Sequence, residues 1–372
     1  MRKTILLALL ILTATFSQGQ YKVNFTEKFK KQNQGEYKIE INEVKELIHI
    51  MIAITQSGLE NDDMVQQKGK YYQDVIAHFK PYESEKIIKT FDSLIVASPF
   101  HYIFLTGNGI SYNFKGNKLI KSKVFDFPAT STSKLKITEN PITTYKKEIE
   151  EFAKKSNFRK FYKKHQPFYR EMISAYEKGA NVGKQWKWLE NNFKTTQNSY
   201  NILCSPLING LNYTGDFENN NFKLIYMVLP PLDYDENLSE RENELLNARI
   251  MFTEIDHNYV KAPSLANKSA IDQYFKDRKK WTNEEVEGIF AYPNPLKVFD
   301  EYMTFGVFIL YCRDNYENED FIAAKEGVIE LMIQRGFPKM QEFTDKLLKA
   351  RSENAGKKID YWYPEFLKQF EK

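Results

Sequence analysis

Cysteine is nearly absent from this chain: 372 residues carry two, Cys204 and Cys312. Two thiols cannot make the disulfide framework that holds small secreted scaffolds together, so stability must come from buried apolar surface. The pair either bridges or serves as two small buried side chains. Histidine is also scarce, five in all, and His49, His78 and His101 stand singly, without ligand spacing around them. Charge of one sign is missing too. The formal net charge is +4, and it falls to +2 once Arg2 and Lys3 are set aside. A chain this close to neutral lacks the basic footprint of a nucleic-acid partner. Beyond the N-terminus no run approaches the roughly 18 uninterrupted apolar residues of a spanning helix, so no membrane span is expected. Internal repeats and low-complexity tracts are lacking as well.

What is present begins with Met-Arg-Lys, an apolar run over residues 5–12, and Ser17-Gln18-Gly19. That order of basic, apolar and small residues predicts a signal peptide over residues 1–19, and hence a secreted or periplasmic protein. No cysteine lies beside the cleavage site to carry a lipid. After a lysine-rich arm, residues 37–41 alternate like a strand and Asn42 opens a helix through Ile48, Met51 and Ile54. Residues 99–114 are aromatic and enclose Gly107-Asn108-Gly109, which predicts a hairpin. The polar, proline-containing run 128–141 reads as a linker, giving an N-terminal α/β subdomain over 20–140 and a second domain over 141–372. Lysines and arginines alternate with Phe152, Phe158 and Phe161, the pattern of an amphipathic helix with a basic solvent face. Residues 200–203 and 222–229 read as strands flanking a glycine-containing turn.

The chemistry concentrates in one helix. Ser239 and Glu242 form a capping-box pattern, so a helix starts there and is expected to stop before Pro263. It places Thr253, Glu254 and His257 on one face. Zinc hydrolases use His-Glu-x-x-His at such a position, with two imidazoles on the metal and the glutamate handling the proton of bound water. Here Thr253 stands where the first imidazole belongs, and a neutral hydroxyl is a poor zinc ligand. A rearranged set is also conceivable, with Glu254 and His257 as an i, i+3 ligand pair completed by His165 or Asp256. Asp256 points about 100° away from His257 around the helix, which weakens it. His165 by itself reads as a surface or hydrogen-bonded histidine. A second helix follows Asn294-Pro295 and is apolar on nearly every face from Tyr302 to Cys312. Glu301 sits at its edge, where a buried carboxylate needs a metal, a cation or several donors.

Several pieces together resemble a family of exported, gluzincin-like proteins related to zinc metallopeptidases. They are Asn157-Phe-Arg-Lys-Phe-Tyr-Lys-Lys-His165 with Tyr169, Ser205-Pro-Leu-Ile-Asn-Gly-Leu-Asn-Tyr213, the helix end Phe252–Val260, and Glu301. The likeness spans roughly residues 143–316. It implies Glu254 as the catalytic base, His257 and Glu301 as metal ligands, zinc as cofactor, and a peptide or protein as substrate or ligand. The order of these elements along the chain gives an α+β fold: a mixed N-terminal part with a small antiparallel sheet, a zincin-type active-site helix, and a helical C-terminal half. Two functions follow as expectations. One is a secreted or periplasmic metallopeptidase; the other is a non-catalytic descendant that binds a peptide or protein in a retained groove.

Overall fold

The computed structural model describes residues 21–371, except 133, 134, 233 and 287. The expected signal peptide lies outside the described residues. The fold is α+β, with small sheets in the N-terminal part and a helical C-terminal half. The chain divides into two compact units, neither continuous in sequence. Among the described residues, one comprises 21–177 and 197–232; the other comprises 178–196 and 234–371. The 128–141 run lies inside the first.

The sheet unit is built around four strands in the order Glu36–Glu40, Ser199–Cys204, Phe222–Leu229, Tyr213–Asn219. The first three run parallel, with Ile39 opposite Ile202 and Ile202 opposite Met227. This corrects the expected hairpin pairing of 200–203 with 222–229, which are parallel neighbours. Both segments are nearly continuous apolar runs, as fits strands buried on both faces in a parallel arrangement. Only the edge strand Tyr213–Asn219 is antiparallel, to Phe222–Leu229. Asn220 and Asn221 join those two with φ of 52° and 56°. Positive φ at both central residues is the hairpin geometry whose twist matches the strands, and asparagine tolerates it.

A second correction concerns residues 99–114. His101–Gly107 is a helix that runs on into a short 3-10 segment, Asn108–Ser111. The hairpin lies later, between Tyr112–Lys115 and Lys118–Lys121. Gly109 serves close packing instead of a turn: a Cβ there would sit 2.8 Å from the Cα of Lys45. The helix Glu43–Ala53 explains that crowding. It is capped by the Asn42 side chain as expected and is buried from Val44 to Ala53. In the lysine-rich region the aromatic side chains Phe152, Phe158 and Phe161 are buried, while the chain breaks at Asn157, which takes φ 56°.

In the helical unit the capping box forms: Ser239 accepts from the Glu242 amide, and Glu242 accepts from the Ser239 amide at 2.8 Å. The helix Glu240–Ala266 that follows has 27 residues, roughly 40 Å of rise. It passes through Pro263 instead of stopping before it. A proline in the last turn forfeits one hydrogen bond to the preceding turn, and the Asn267 amide closes the end on the carbonyls of Pro263 and Ser264. Helix Pro295–Asn315 packs along it and is buried from Glu301 to Cys312, as its all-round apolar sequence predicts. Asn294 caps it through the Lys297 amide at 3.0 Å. Val182–Asn192, Lys268–Tyr274, Arg278–Trp281, Asn318–Gln334, Met340–Glu353 and Ile359–Lys368 are its other α-helices among the described residues. Cys204 and Cys312 are both free and buried. Among the described residues no helix is long and apolar enough to cross a membrane.

Candidate functional site

The site is assembled where Glu240–Ala266 meets Pro295–Asn315. Thr253, Glu254 and Glu301 are buried, with exposures of 5%, 4% and 3%. His257 is half-buried, and its Nε2 is sealed from solvent. The helix pairing brings His257 beside the second helix, where Nδ1 lies 3.3 Å from the Thr304 hydroxyl. Glu301 is three residues before Thr304 on the same helix, close enough for its charge to act on the imidazole. So the structure gathers His257 and Glu301 in one region.

What it does with Glu301 is specific. Oε1 accepts from the Arg335 guanidinium at 2.8 Å and from the Tyr292 hydroxyl at 2.9 Å. Arg335 also donates to the Tyr292 oxygen at 3.0 Å, and its guanidinium carbon lies 5.0 Å from the centre of the Phe305 ring. The three polar groups thus form a closed triangle over an aromatic face. A carboxylate 4% exposed in its side chain finds here both the charge and the donors that burial demands. Thr253 is engaged differently: its hydroxyl donates to the Ile250 carbonyl of its own helix at 3.2 Å, a common arrangement for a helical threonine.

Beside this triangle lie two further acids with unpartnered carboxyl oxygens. Asp256 is fully buried, and neither carboxyl oxygen has a hydrogen-bond partner. Burial, then the charges of Glu301 and Glu254, hold its pKa well above the usual carboxylate range, which favours the protonated form. Asp300 is pushed up to about 6, chiefly by burial, with a Ser264 hydrogen bond and the charge of Lys297 working against the rise. Its Oδ1 lacks a partner. Burial also pushes the His257 pKa down; Glu301 opposes this, while Lys297 and Arg335 reinforce it. The imidazole is therefore neutral at physiological pH. Among the described residues, no three His, Cys, Asp or Glu side chains are grouped so as to hold a metal ion.

No family model, curated protein or solved structure matches this chain. The gluzincin likeness therefore rests on the residues quoted from the sequence, and their surroundings can be compared directly. His165 is a satisfied core histidine: Nδ1 pairs with the Phe161 carbonyl at 2.9 Å and Nε2 with Asp74 at 3.3 Å. Tyr169 belongs to a second buried polar group, in the sheet unit. Its hydroxyl lies 2.6 Å from that of Tyr71, which donates to Glu46 at 2.7 Å. Ser205 also bonds Glu46, and neighbouring Lys45, 1% exposed, donates to the Thr106 carbonyl at 3.2 Å. Burial raises the Glu46 pKa and lowers that of Lys45, each charge partly offsetting the other's shift.

Arg335 and Tyr292 are the site residues that sequence reading did not single out. Arg335 lies 34 positions after Glu301, beyond any helical spacing. Tyr292 stands nine before it, in a short loop ahead of the helix. Neither offset carries a local signal. Thr304 was legible in principle, because an i, i+3 offset places it on the same helix face as Glu301.

Proposed function

We propose that this chain is an exported, non-catalytic relative of gluzincin peptidases that binds a peptide or protein without cleaving it. The observation carrying the proposal is the Glu301–Arg335–Tyr292 triangle. In the metal-dependent reading Glu301 is a zinc ligand, and its negative charge is satisfied by the ion. Here a guanidinium supplies that positive charge. A zinc ion placed on Glu301 would bind a carboxylate whose Oε1 is already paired with the Arg335 guanidinium, and the two neighbouring cations would repel each other. Thr253 supplies no compensating anion or imidazole, and its hydroxyl hydrogen is directed to a backbone carbonyl. The residues present thus do not fit a three-ligand zinc site, and no hydrolytic step is assigned to Glu254.

The alternative is a zinc-dependent peptidase with Glu254 as base and His257 and Glu301 as ligands. One observation favours it: Nε2 of His257 is buried and has no partner, which a metal ion would remedy. Metal analysis of the purified, untagged mature protein, followed by zinc titration, separates the two. The non-catalytic reading expects no stoichiometric zinc in the natural protein. It also expects little gain from Thr253→His alone and a large gain when Thr253→His is combined with Arg335→Met, because only the double change frees the carboxylate and adds an imidazole. Stoichiometric zinc in the natural protein, with peptide hydrolysis abolished by Glu254→Gln, would establish the peptidase reading instead.

A further inference from the structure

The basic helix face in the sheet unit has no part in the proposal above. Residues 152–170 hold seven lysines and arginines and no aspartate or glutamate; Glu151 and Glu171 bound the run. It folds as the end of helix Lys146–Lys155, the helix Phe158–Lys164 and the start of helix Gln166–Ala175. Phe152, Phe158 and Phe161 are buried, which leaves the cations on the outer side. Two of them find acids: Lys155 pairs with Glu85 and Arg159 with Glu43. Lys154, Lys160, Lys163, Lys164 and Arg170 are exposed and form no ion pair among the described residues. Lys160, Lys163 and Lys164 stand at i, i+3 and i+4, where like charges repel across one face of a short helix. Folding gains nothing from that repulsion.

The same features narrow the partner. All five free cations sit on exposed side chains, so a small anion would meet screened, mobile charge and no preformed cradle. A single-stranded nucleic acid is held by rings on which its bases stack, and Phe152, Phe158, Phe161 and Tyr169 are buried. Phe168 is the one phenylalanine of the run left on the surface, 39% exposed. Its ring stacks on Tyr71 at 5.4 Å and 18°, which fixes it beside the lysines. An anionic bilayer asks for what is present: several cations on one side, delocalised over long stems, and an apolar ring to enter the boundary between headgroups and acyl chains.

We propose that the surface over residues 154–170, centred on Lys160, Lys163, Lys164 and Phe168, docks the protein peripherally on a bilayer of anionic lipids. No helix among the described residues is long and apolar enough to span, so attachment is at the surface and is salt-dependent. The surface belongs wholly to the sheet unit, so the proposal stands apart from the metal question in the helical unit.

Co-sedimentation of the full-length mature protein with phosphatidylcholine vesicles, with and without about 30% phosphatidylglycerol, tests it. Binding is expected only to the anionic vesicles at about 0.1 M salt, and should vanish at about 1 M, where the screening length falls to about 3 Å. Each cation near an anionic surface contributes about 5-fold, so Lys160→Gln, Lys163→Gln and Lys164→Gln together should weaken binding about 100-fold. Removing equal charge from exposed positions of the helical unit, Lys276→Gln, Lys279→Gln and Lys349→Gln, should change it less than about 2-fold, since these cations lie outside the docking surface. Phe168→Ala should weaken vesicle binding about 3-fold or more by removing the inserted ring. No binding to the anionic vesicles at about 0.1 M salt, or equal losses from the two triple variants, overturns the proposal. Tighter binding to a single-stranded oligonucleotide than to the vesicles overturns it in favour of a nucleic acid.

Discussion

Replacing Arg335 by methionine asks how much the helical unit depends on the Glu301 triangle. Methionine keeps much of the packing stem and removes the charge. The Glu301 side chain is 4% exposed and that of Arg335 is 20% exposed, so the carboxylate is the group left stranded. Breaking a fully buried pair from one side costs about 3–5 kcal/mol. Tyr292 still donates to Glu301 at 2.9 Å, which moves the expectation to about 3 kcal/mol. Glu301→Gln should cost less, about 1–2 kcal/mol, because the partly exposed guanidinium can turn to water. If the two groups act as a pair, the double variant should be milder than the sum of the singles by about 2 kcal/mol.

All four tryptophans, Trp186, Trp188, Trp281 and Trp362, lie in the helical unit. Urea unfolding followed by tryptophan fluorescence therefore reports that unit specifically. Coupling below about 0.5 kcal/mol, within the range of independent sites, would show that solvent screens the pair and would remove the main support for the non-catalytic reading.

Two further outcomes are expected. Asp300 has a folded pKa raised to about 6 from 3.8, so it favours folding fully below the ordinary value and loses that benefit as pH climbs through 6. Asp300→Asn should accordingly raise stability by up to about 3 kcal/mol at pH 8 and have little effect at pH 4, read by the same fluorescence transition; an equal effect at both values would exclude the linkage. For export, intact-mass analysis of protein from a native host should show a mature chain beginning at Gln20 or within a few residues, and a soluble product retaining Met1 would reject it.

The elements that were legible in the sequence were those with local causes. The Asn42 and Asn294 caps, the Ser239 capping box and the buried stretch of Pro295–Asn315 each follow from residues within a few positions of one another. Strand pairing did not follow. Ser199–Cys204 and Phe222–Leu229 look like hairpin partners in sequence, yet the sheet uses the parallel pairing that their two-sided burial allows. The Asn220-Asn221 turn was the missed clue. Gly107 and Gly109 misled because glycine answers both turns and close approach, and only the positions of Ala129 beside the first and Lys45 beside the second decide which. At the site, the nearness of His257 and Glu301 was expected only from the gluzincin likeness, and Arg335 was not expected at all, since its role depends on how distant helices pack.

The sheet has a consequence for how the newly made chain behaves. Strand Glu36–Glu40 has its neighbour at Ser199–Cys204, and the two residues joined by the Ser199 hydroxyl and the Glu36 carbonyl are 163 positions apart. The central pairing then waits for Phe222–Leu229. Long-range parallel pairing closes slowly, because loop entropy must be overcome before contacts repay it. With synthesis at about 5–20 residues per second, the first strand exists for roughly ten seconds or more before its partner has been made. Until then the sheet cannot lock, so the polypeptide emerging from synthesis stays open and unpaired over its first two hundred residues. The same delay leaves a strand edge exposed, which makes the interval before residue 229 emerges the period when binding by a chaperone matters most.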